Sequence, residues 1–472
     1  MTVVRDDMDN SKHNPAEVVY GRIESAGLWN IPGEQAKENQ RPHLISPEPF
    51  SLTKAQVDEL KLLGDALLGF YSAANDLYLR GAEPWFNEYL DIGKNEELLR
   101  HSRMKYQKTA LPGIIRPDIL MTEGGFQITE LDSVPGGFGH LDCLSAAYAD
   151  CGFDVLGSGR GIRDGFASMI RGVSKSPDPV LAIVVSDESK DYLPEMTYLA
   201  KELSNIGLPT FAVDPRQIIF TEEALYVEAE GIRHKIDVLY RFFELFDVLN
   251  IPKAELISYA ARKRIVTVTP AYKPYLEEKA LLALFRNPGL EQYWRKSLGD
   301  GYDVLNRTIA DTYILDNRPV PPNAEISGFR WRGEPIRDWC VIKDSSQKER
   351  RLVIKPSGYS PLAWGSRGVR VGHDMSREDW SEAVDAALES FDSSPWVLQH
   401  FQDTSLIGVK YLSKQNDEIK NMQARVRLCP YYFVAEDRAE LGGVLATACP
   451  KDKKLIHGMV DAVMTPCRQQ ED

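Results

Sequence analysis

The chain has 472 residues, of which 43% are hydrophobic, and it carries a formal net charge of −13. This length is enough for two or three domains with cores of their own, and the composition is ordinary for a soluble globular enzyme. The negative charge argues against a general affinity for nucleic acid or for an anionic membrane surface.

The beginning of the chain is polar and has no apolar core of signal-peptide length. No later stretch approaches the roughly 18 apolar residues of a membrane span. The six cysteines are scattered, with no CxxC pair. This pattern favours a reduced cytoplasmic protein over a zinc site or a disulfide framework.

The first two regions of the chain differ in composition. Residues 1–48 are rich in Asn, Pro and charge, and we expect them to form an N-terminal arm. Residues 49–110 are expected to be a helical region, because the apolar periodicity of residues 51–81 predicts one long packed helix. Ser51 is the predicted N-cap of this helix.

Two α/β patterns follow. Residues 111–314 contain a predicted hairpin and then apolar strands that alternate with helices, including a buried strand at 179–187 and a helix that ends at Gly207. This alternation is typical of a Rossmann-like layer. Residues 315–472 start with a connector rich in Pro, Asn and Gly and continue with predicted strands, the first at 339–344, and one helix capped by Ser376. We therefore predict an α/β (α+β) fold.

The hairpin concentrates charge. Arg116 and Asp118 lie two residues apart, as do Glu130 and Asp132, and a turn signal separates the two pairs. Residues two apart in a strand point to the same face. Three clustered carboxylates are costly unless a cation neutralises them, Mg²⁺ prefers such oxygen ligands, and arginine suits the phosphates that Mg²⁺ accompanies. A salt-bridged surface hairpin explains the same residues equally well.

A second constellation lies further along. Lys355 ends an apolar strand and precedes a loop with Gly and Ser residues, after which the strand that contains Gln399 follows. A lysine beside such a loop can hold nucleotide phosphates, with loop N–H groups closing over the oxygens. Taken alone, Lys355 could equally be a surface lysine at a strand end, and Gln399 the polar end of a buried strand.

Together these motifs resemble the circularly permuted branch of the ATP-grasp superfamily, and most of all the synthetase domain of glutathionylspermidine synthase. That family has Arg-x-Asp on one strand and Glu-x-Asn on the next. Its Asp and Glu are as far apart in sequence as Asp118 and Glu130 are here. Asp132 stands in place of the asparagine. The resemblance implies a Rossmann-like pre-ATP-grasp layer and a nucleotide-binding lobe at residues 315–472. It implies that Arg116 contacts phosphates and that Asp118, Glu130 and Asp132 hold two Mg²⁺ ions. The ATP-binding residues that it implies are Lys279, Lys355, Gly365, Ser366, Arg367, Gly368 and Gln399.

The activity implied by the resemblance is ATP-dependent ligation of a carboxylate to an amine through an acyl phosphate. The partners would be small-molecule or peptide acids and amines. Arg427 is a candidate ligand for the substrate carboxylate, and His457 a candidate residue of the substrate cleft. Two alternatives stay open: an ATP-dependent phosphotransferase on the same fold, and a nucleotide-binding protein without turnover.

Overall fold

The computed structural model describes residues 14–29, 43–132, 134–363, 365, 367–413, 416, 418–458 and 461–471. Within them the helices are α1 (Pro15–Ser25), α2 (Lys54–Arg80), α3 (Pro84–Asp91), α4 (Glu96–Ser102), α5 (Phe138–Asp150), α6 (Gly161–Val173), α7 (Leu193–Asn205), α8 (Ala254–Arg262), α9 (Ala280–Arg286), α10 (Glu291–Leu298), α11 (Gly301–Thr308) and α12 (Arg377–Glu389). None of these helices is both long enough and apolar enough to cross a membrane.

The strands within the same residues are β1 (Phe50–Leu52), β2 (Ile114–Thr122), β3 (Gly125–Asp132), β4 (Leu181–Val185), β5 (Thr210–Val213), β6 (Ile219–Phe220), β7 (Leu225–Ala229), β8 (Ile232–Ile236), β9 (Val238–Phe242), β10 (Thr267–Thr269), β11 (Thr312–Leu315), β12 (Arg330–Trp331), β13 (Glu334–Pro335), β14 (Leu352–Pro356), β15 (Arg370–Val371), β16 (Trp396–His400), β17 (Leu406–Leu412), β18 (Ile419–Ala435), β19 (Arg438–Pro450) and β20 (Val463–Gln469).

The largest sheet pairs β1 with β20, the last strand, although more than 400 residues separate the two. Its order is β1-β20-β19-β18-β2-β3, and β17 pairs with the first part of β18. Helix α2 covers one face of this sheet, where Leu60, Leu67 and Tyr71 are fully buried. At Gly64 an added Cβ would lie 2.6 Å from the Tyr432 ring, so the absence of a side chain permits this close packing.

The second sheet is parallel and confirms the predicted α/β layer. Its order is β10-β9-β4-β5. Along β4, Leu181 and Ile183 pack with the helices α5, α6 and α7, whereas Ala182 and Val184 pack with α8. Both faces are therefore covered, which explains why β4 is an uninterrupted apolar run.

The third sheet is antiparallel, with the order β11-β16-β14-β15. Helix α12 packs on it through Trp380 and Val384. The predicted cap is confirmed, because the side chain of Ser376 accepts a hydrogen bond from the N–H of Asp379 at 3.0 Å.

Several local predictions are wrong or incomplete. The N-cap of α2 is Thr53, which forms a capping box with Gln56, while Ser51 lies in β1. The strand predicted at 339–344 is a 3₁₀ helix, Trp339–Ile342. Within the predicted N-terminal arm, α1 buries an apolar face against α5.

The C-terminal region also contributes to two sheets. Strands β14–β16 belong to the third sheet, together with β11 from the end of the preceding region, whereas β17–β20 join the sheet that contains the β2–β3 hairpin. Such long-range pairing leaves no local signal in the sequence, and the domain boundaries given above stay a prediction.

Candidate active site

The hairpin forms as the sequence predicts. Arg116 pairs with Asp132 and Asp118 pairs with Glu130 across the antiparallel strands β2 and β3, with a bulge immediately after Asp118. Directly opposed residues lie on the same face of a sheet. The prediction that these four charged side chains share one face is therefore confirmed.

Each hairpin carboxylate is matched by a basic side chain. Arg116 contacts Asp132 at 2.7 Å and Asp118 at 3.4 Å, and Lys279 contacts Glu130 at 2.7 Å. Burial opposes the ionisation of Asp118, but neighbouring arginines hold its pKa below the ordinary value. For Asp132, burial outweighs the attraction of Arg116 and raises the pKa.

The next strand supplies a second arginine. Strand β18 lies beside β2, and Arg427 contacts Asp118 at 2.7 Å while the Cys429 thiol donates a weak hydrogen bond to the same carboxylate at 3.5 Å. Burial raises the pKa of Cys429 to about 11, so this thiol stays protonated at neutral pH. Arg427, predicted only as a substrate ligand, is thus part of the charged cluster.

Lys355 lies on the neighbouring third sheet and faces this cluster. Its Nζ donates to the Gln399 side chain at 3.0 Å and to the backbone oxygen of Thr129 at 3.3 Å. It forms no ion pair with any described residue. Burial lowers its pKa to about 8. Its two hydrogen-bond acceptors are neutral, and the attraction of Glu130 and Asp118 offsets only part of the cost of burying its charge. An anionic ligand would therefore stabilise the charged form of Lys355 further.

Gln399, one of the residues predicted to bind ATP, lies buried beside Lys355. It is 2% exposed and donates to the Thr312 hydroxyl at 2.9 Å while it accepts from Lys355. Its position on β16, diagonal to Lys355 on β14, explains this contact. The Gln399 side chain therefore holds the Lys355 ammonium by a hydrogen bond and does not line the cleft.

The loop after β14 lies over the same region. Gly365 lines the cleft, and Lys279 Nζ donates to the backbone oxygen of Ala363 at 3.3 Å. Arg367 points away to an exposed ion pair with Glu188 at 2.8 Å. Gly368 packs on Pro356, where an added Cβ would meet its ring at 2.7 Å. Ser366 lies outside the described residues.

These elements enclose a cleft of about 530 Å³. Its floor is the charged face of the seven-stranded sheet, and Lys279, Lys355 and the loop after β14 form one wall. The opposite wall is formed at the carboxyl ends of β4 and β9, and it contributes Tyr192, Glu195 and Glu244. His457, a candidate cleft residue from the sequence, lines the cleft as well.

Glu195 and Glu244 were missed from the sequence. Glu195 accepts hydrogen bonds from the N–H groups of Gly137 and Gly139, yet burial raises its pKa to about 7. Burial, followed by repulsion from Glu277, raises the pKa of Glu244 to about 8. Their one sequence signal is that each follows a strand of the parallel sheet, where ligand sites tend to form.

The carboxylates fit a hard cation by their chemistry but are not assembled around one. Among the described residues, no three His, Cys, Asp or Glu side chains form a group that could hold a metal ion. The oxygens of Asp118, Glu130 and Asp132 are instead taken by Arg427, Lys279 and Arg116. These carboxylates would hold Mg²⁺ only after exchanging such partners.

Comparison with known proteins bears on the fold. No protein-family model and no curated protein matches the sequence. The chain is similar to a glutathione synthetase-like effector from Globodera pallida, solved in its apo form, with 10% identity, a TM-score of 0.54 and coverage of 97% of this chain and 98% of that one. A structure described as a gamma-glutamylcysteine synthetase from Methylobacillus flagellatus KT has 10% identity, 87% coverage of both chains and a TM-score of 0.42, which is too low to carry an argument. At this identity the first likeness establishes a mixed α/β fold similar to that of the effector, and nothing finer.

Proposed function

We propose that the protein is an ATP-dependent carboxylate–amine ligase of the circularly permuted ATP-grasp type, with ATP and two Mg²⁺ ions at the cleft. One observation carries the proposal. The register of β2 and β3 places Arg116, Asp118, Glu130 and Asp132 on one face, directly opposite Lys279 and Lys355. The fold similarity to a glutathione synthetase-like effector supports it at the level of the fold.

The basic side chains account for phosphate binding. Arg116, Lys279, Lys355 and Arg427 all line the cleft. Charge-assisted hydrogen bonds to phosphate are short and strong, and the low dielectric of a closed cleft strengthens them further. Lys355 is free of ion pairs among the described residues, so it can bind phosphate without giving up a carboxylate partner.

The three hairpin carboxylates are the proposed ligands of the metal. When bound, Mg²⁺ would neutralise charge that develops on the transferred phosphoryl group. Phosphates that attract Lys279 and Arg116 would release the oxygens of Glu130 and Asp132 for the metal. Nucleotide and metal binding are therefore expected to depend on each other.

The reaction needs positioning more than covalent help from the protein. An oxygen of the substrate carboxylate attacks the γ-phosphorus, and the bond from that phosphorus to the ADP oxygen breaks. The amine nitrogen then attacks the acyl carbon, phosphate leaves, and the nitrogen loses a proton. Glu195 and Glu244 line the same cleft and are candidates to accept this proton. The loop from Ser357 to Gly368 would protect the acyl phosphate from water.

The test measures phosphate release from Mg-ATP in the presence of an acid and an amine. The acids are amino acids and short peptides, and the amines are diamines and amino acids. The ligase account predicts release that needs both an acid and an amine, with an amide product detected by mass spectrometry. A phosphorylated product that forms without an amine would instead establish a phosphotransferase. Mg-ATP binding without turnover on any pair would favour the non-catalytic alternative.

A further inference from the structure

The segment that carries Lys279 is fastened by two consecutive glutamates. Glu277 forms an ion pair with Arg241, and Glu278 forms one with Lys94, whose Nζ lies 2.5 Å from Oε1. The side chains of Lys94 and Glu278 are 0% and 2% exposed. Desolvation offsets much of the attraction in a buried ion pair, so stability alone does not explain one.

Glu278 also holds the beginning of the loop that follows Lys355. The Ser357 hydroxyl donates to Oε2 of Glu278, and the N–H of Tyr359 donates to Oε1 at 3.3 Å. The Lys94 ammonium lies 5.4 Å from the centre of the Tyr359 ring. One buried ion pair therefore contacts both the Lys279 segment and the loop.

The two lysine-bearing segments also touch directly through Ser357. The N–H of Lys279 donates to the Ser357 carbonyl at 3.3 Å, and the N–H of Ala280 donates to the Ser357 hydroxyl at 3.0 Å. At Gly358 an added Cβ would lie 2.3 Å from the backbone oxygen of Glu277, so this contact leaves no room for a side chain. The spacing between Lys279 and Lys355 is thus set where Glu278 binds Ser357.

Lys94 reaches this point from a separate part of the fold. It lies between α3 and α4, and the preceding Gly93 packs so closely on the turn after α12 that an added Cβ would lie 1.8 Å from the Ser393 oxygen. The same turn accepts a hydrogen bond from the N–H of Ser357 at Pro395, at 2.9 Å. The close packing of the backbone next to Lys94 therefore limits where its ammonium group can lie.

We propose that Lys94 and Glu278 are a positioning pair for nucleotide binding: they fix the spacing of Lys279 and Lys355 and anchor the loop that covers the cleft. Neither residue lines the cleft itself. The inference rests on the proposed function for its nucleotide, and on the contacts above for its geometry.

The experiment compares Mg-ATP affinity, by calorimetry, with thermal stability. Lys94→Met should weaken Mg-ATP binding roughly tenfold or more, and Ser357→Ala, a milder change, by about three- to tenfold, because displaced lysines lose charge-assisted hydrogen bonds. Arg163→Met breaks another buried ion pair, with Asp142 at 2.5 Å, and is the matched control. It should lower the melting temperature comparably and leave the affinity unchanged.

A second readout needs no nucleotide. Trypsin cleavage after Arg367, which lies exposed in the anchored loop, should be faster in Lys94→Met and Ser357→Ala than in wild type, and unchanged in Arg163→Met. The double variant Lys94→Met/Glu278→Gln removes both buried charges and should recover stability, yet keep a weakened affinity, since one oxygen remains for two donors.

The outcomes separate cleanly. Wild-type affinity in a folded Lys94→Met or Ser357→Ala variant would overturn the inference, as would an equal loss of affinity in Arg163→Met. If wild type binds no Mg-ATP, the proposed function fails, and the cleavage rates alone decide the anchoring: equal rates in all variants would overturn it.

Discussion

The substitution Lys355→Met tests whether Lys355 binds a ligand or only stabilises the fold. Burial lowers the pKa of Lys355 from 10.5 to about 8. That shift corresponds to a penalty of about 3 kcal/mol on the charged form in the folded protein. Methionine removes this penalty and also two hydrogen bonds. The effect of the charge is already contained in the pKa shift, so these hydrogen bonds count as those of a neutral amine, at about 1 kcal/mol each. The unfolding free energy of the ligand-free protein should therefore rise by about 1 kcal/mol at pH 7.

The same variant should bind Mg-ATP roughly 10- to 100-fold more weakly, because hydrogen bonds to a charged group contribute about 1.5–3 kcal/mol. Urea unfolding and calorimetry measure the two effects, and Lys343→Met, which removes a part-exposed lysine paired with Asp385, is the control.

The sign of the pH dependence gives a further check. Above pH 8 folded Lys355 has lost its proton while the unfolded chain keeps it until about 10.5, so wild-type stability should rise relative to the variant across this window. A variant that is clearly less stable than wild type and binds Mg-ATP with unchanged affinity would refute the reasoning.

Three further predictions concern other parts of the molecule. Glu130→Ala should abolish Mg-ATP-dependent phosphate release without unfolding the protein. The control Glu123→Ala, in the exposed turn of the same hairpin, should leave phosphate release unchanged. Phosphate release at the wild-type rate in Glu130→Ala would contradict the metal assignment. Glu195→Gln should stabilise the protein at pH 7 by up to about 3 kcal/mol, because burial raises the pKa of Glu195 from 4.5 to about 7. Wild type loses stability as the pH rises from 4.5 to 7, whereas the variant has no carboxyl group to titrate at this position. Denaturant unfolding at pH 4.5 and 7 tests this, and a variant advantage that does not grow with pH would contradict it. Thr53→Ala should cost about 1 kcal/mol in the same assay through the loss of the capping box, and no change would contradict the cap.

The hairpin was predictable because its information is local. A turn signal fixes which strands pair, and the two-residue spacing fixes which side chains share a face. Arg116 and Glu130 therefore lie where the sequence predicts. The parallel strand β4 and the Ser376 cap of α12 were predictable for the same reason, since an apolar run and a capping residue carry their own signals.

The opposite wall of the cleft was not predictable. Glu195 and Glu244 reach the site only because the carboxyl edge of the parallel sheet packs against the charged face of the large sheet. The Lys94–Glu278 ion pair likewise joins residues far apart in sequence. Gln399 shows a subtler limit: its strand was predicted, but its contact with Lys355 depends on the pairing register of β14 and β16.

The most direct test of the account is thermal stabilisation by Mg-ATP in wild type and in Asp118→Asn, each with Mg²⁺ alone as the reference. Ligand at about 100 times its dissociation constant raises the unfolding free energy by about 2.7 kcal/mol. The account predicts such a shift in wild type, its loss or strong reduction in the variant, and no shift with Mg²⁺ alone, because each hairpin carboxylate is already ion-paired. No shift in wild type, or equal shifts in both proteins, would contradict a nucleotide–metal site at this hairpin.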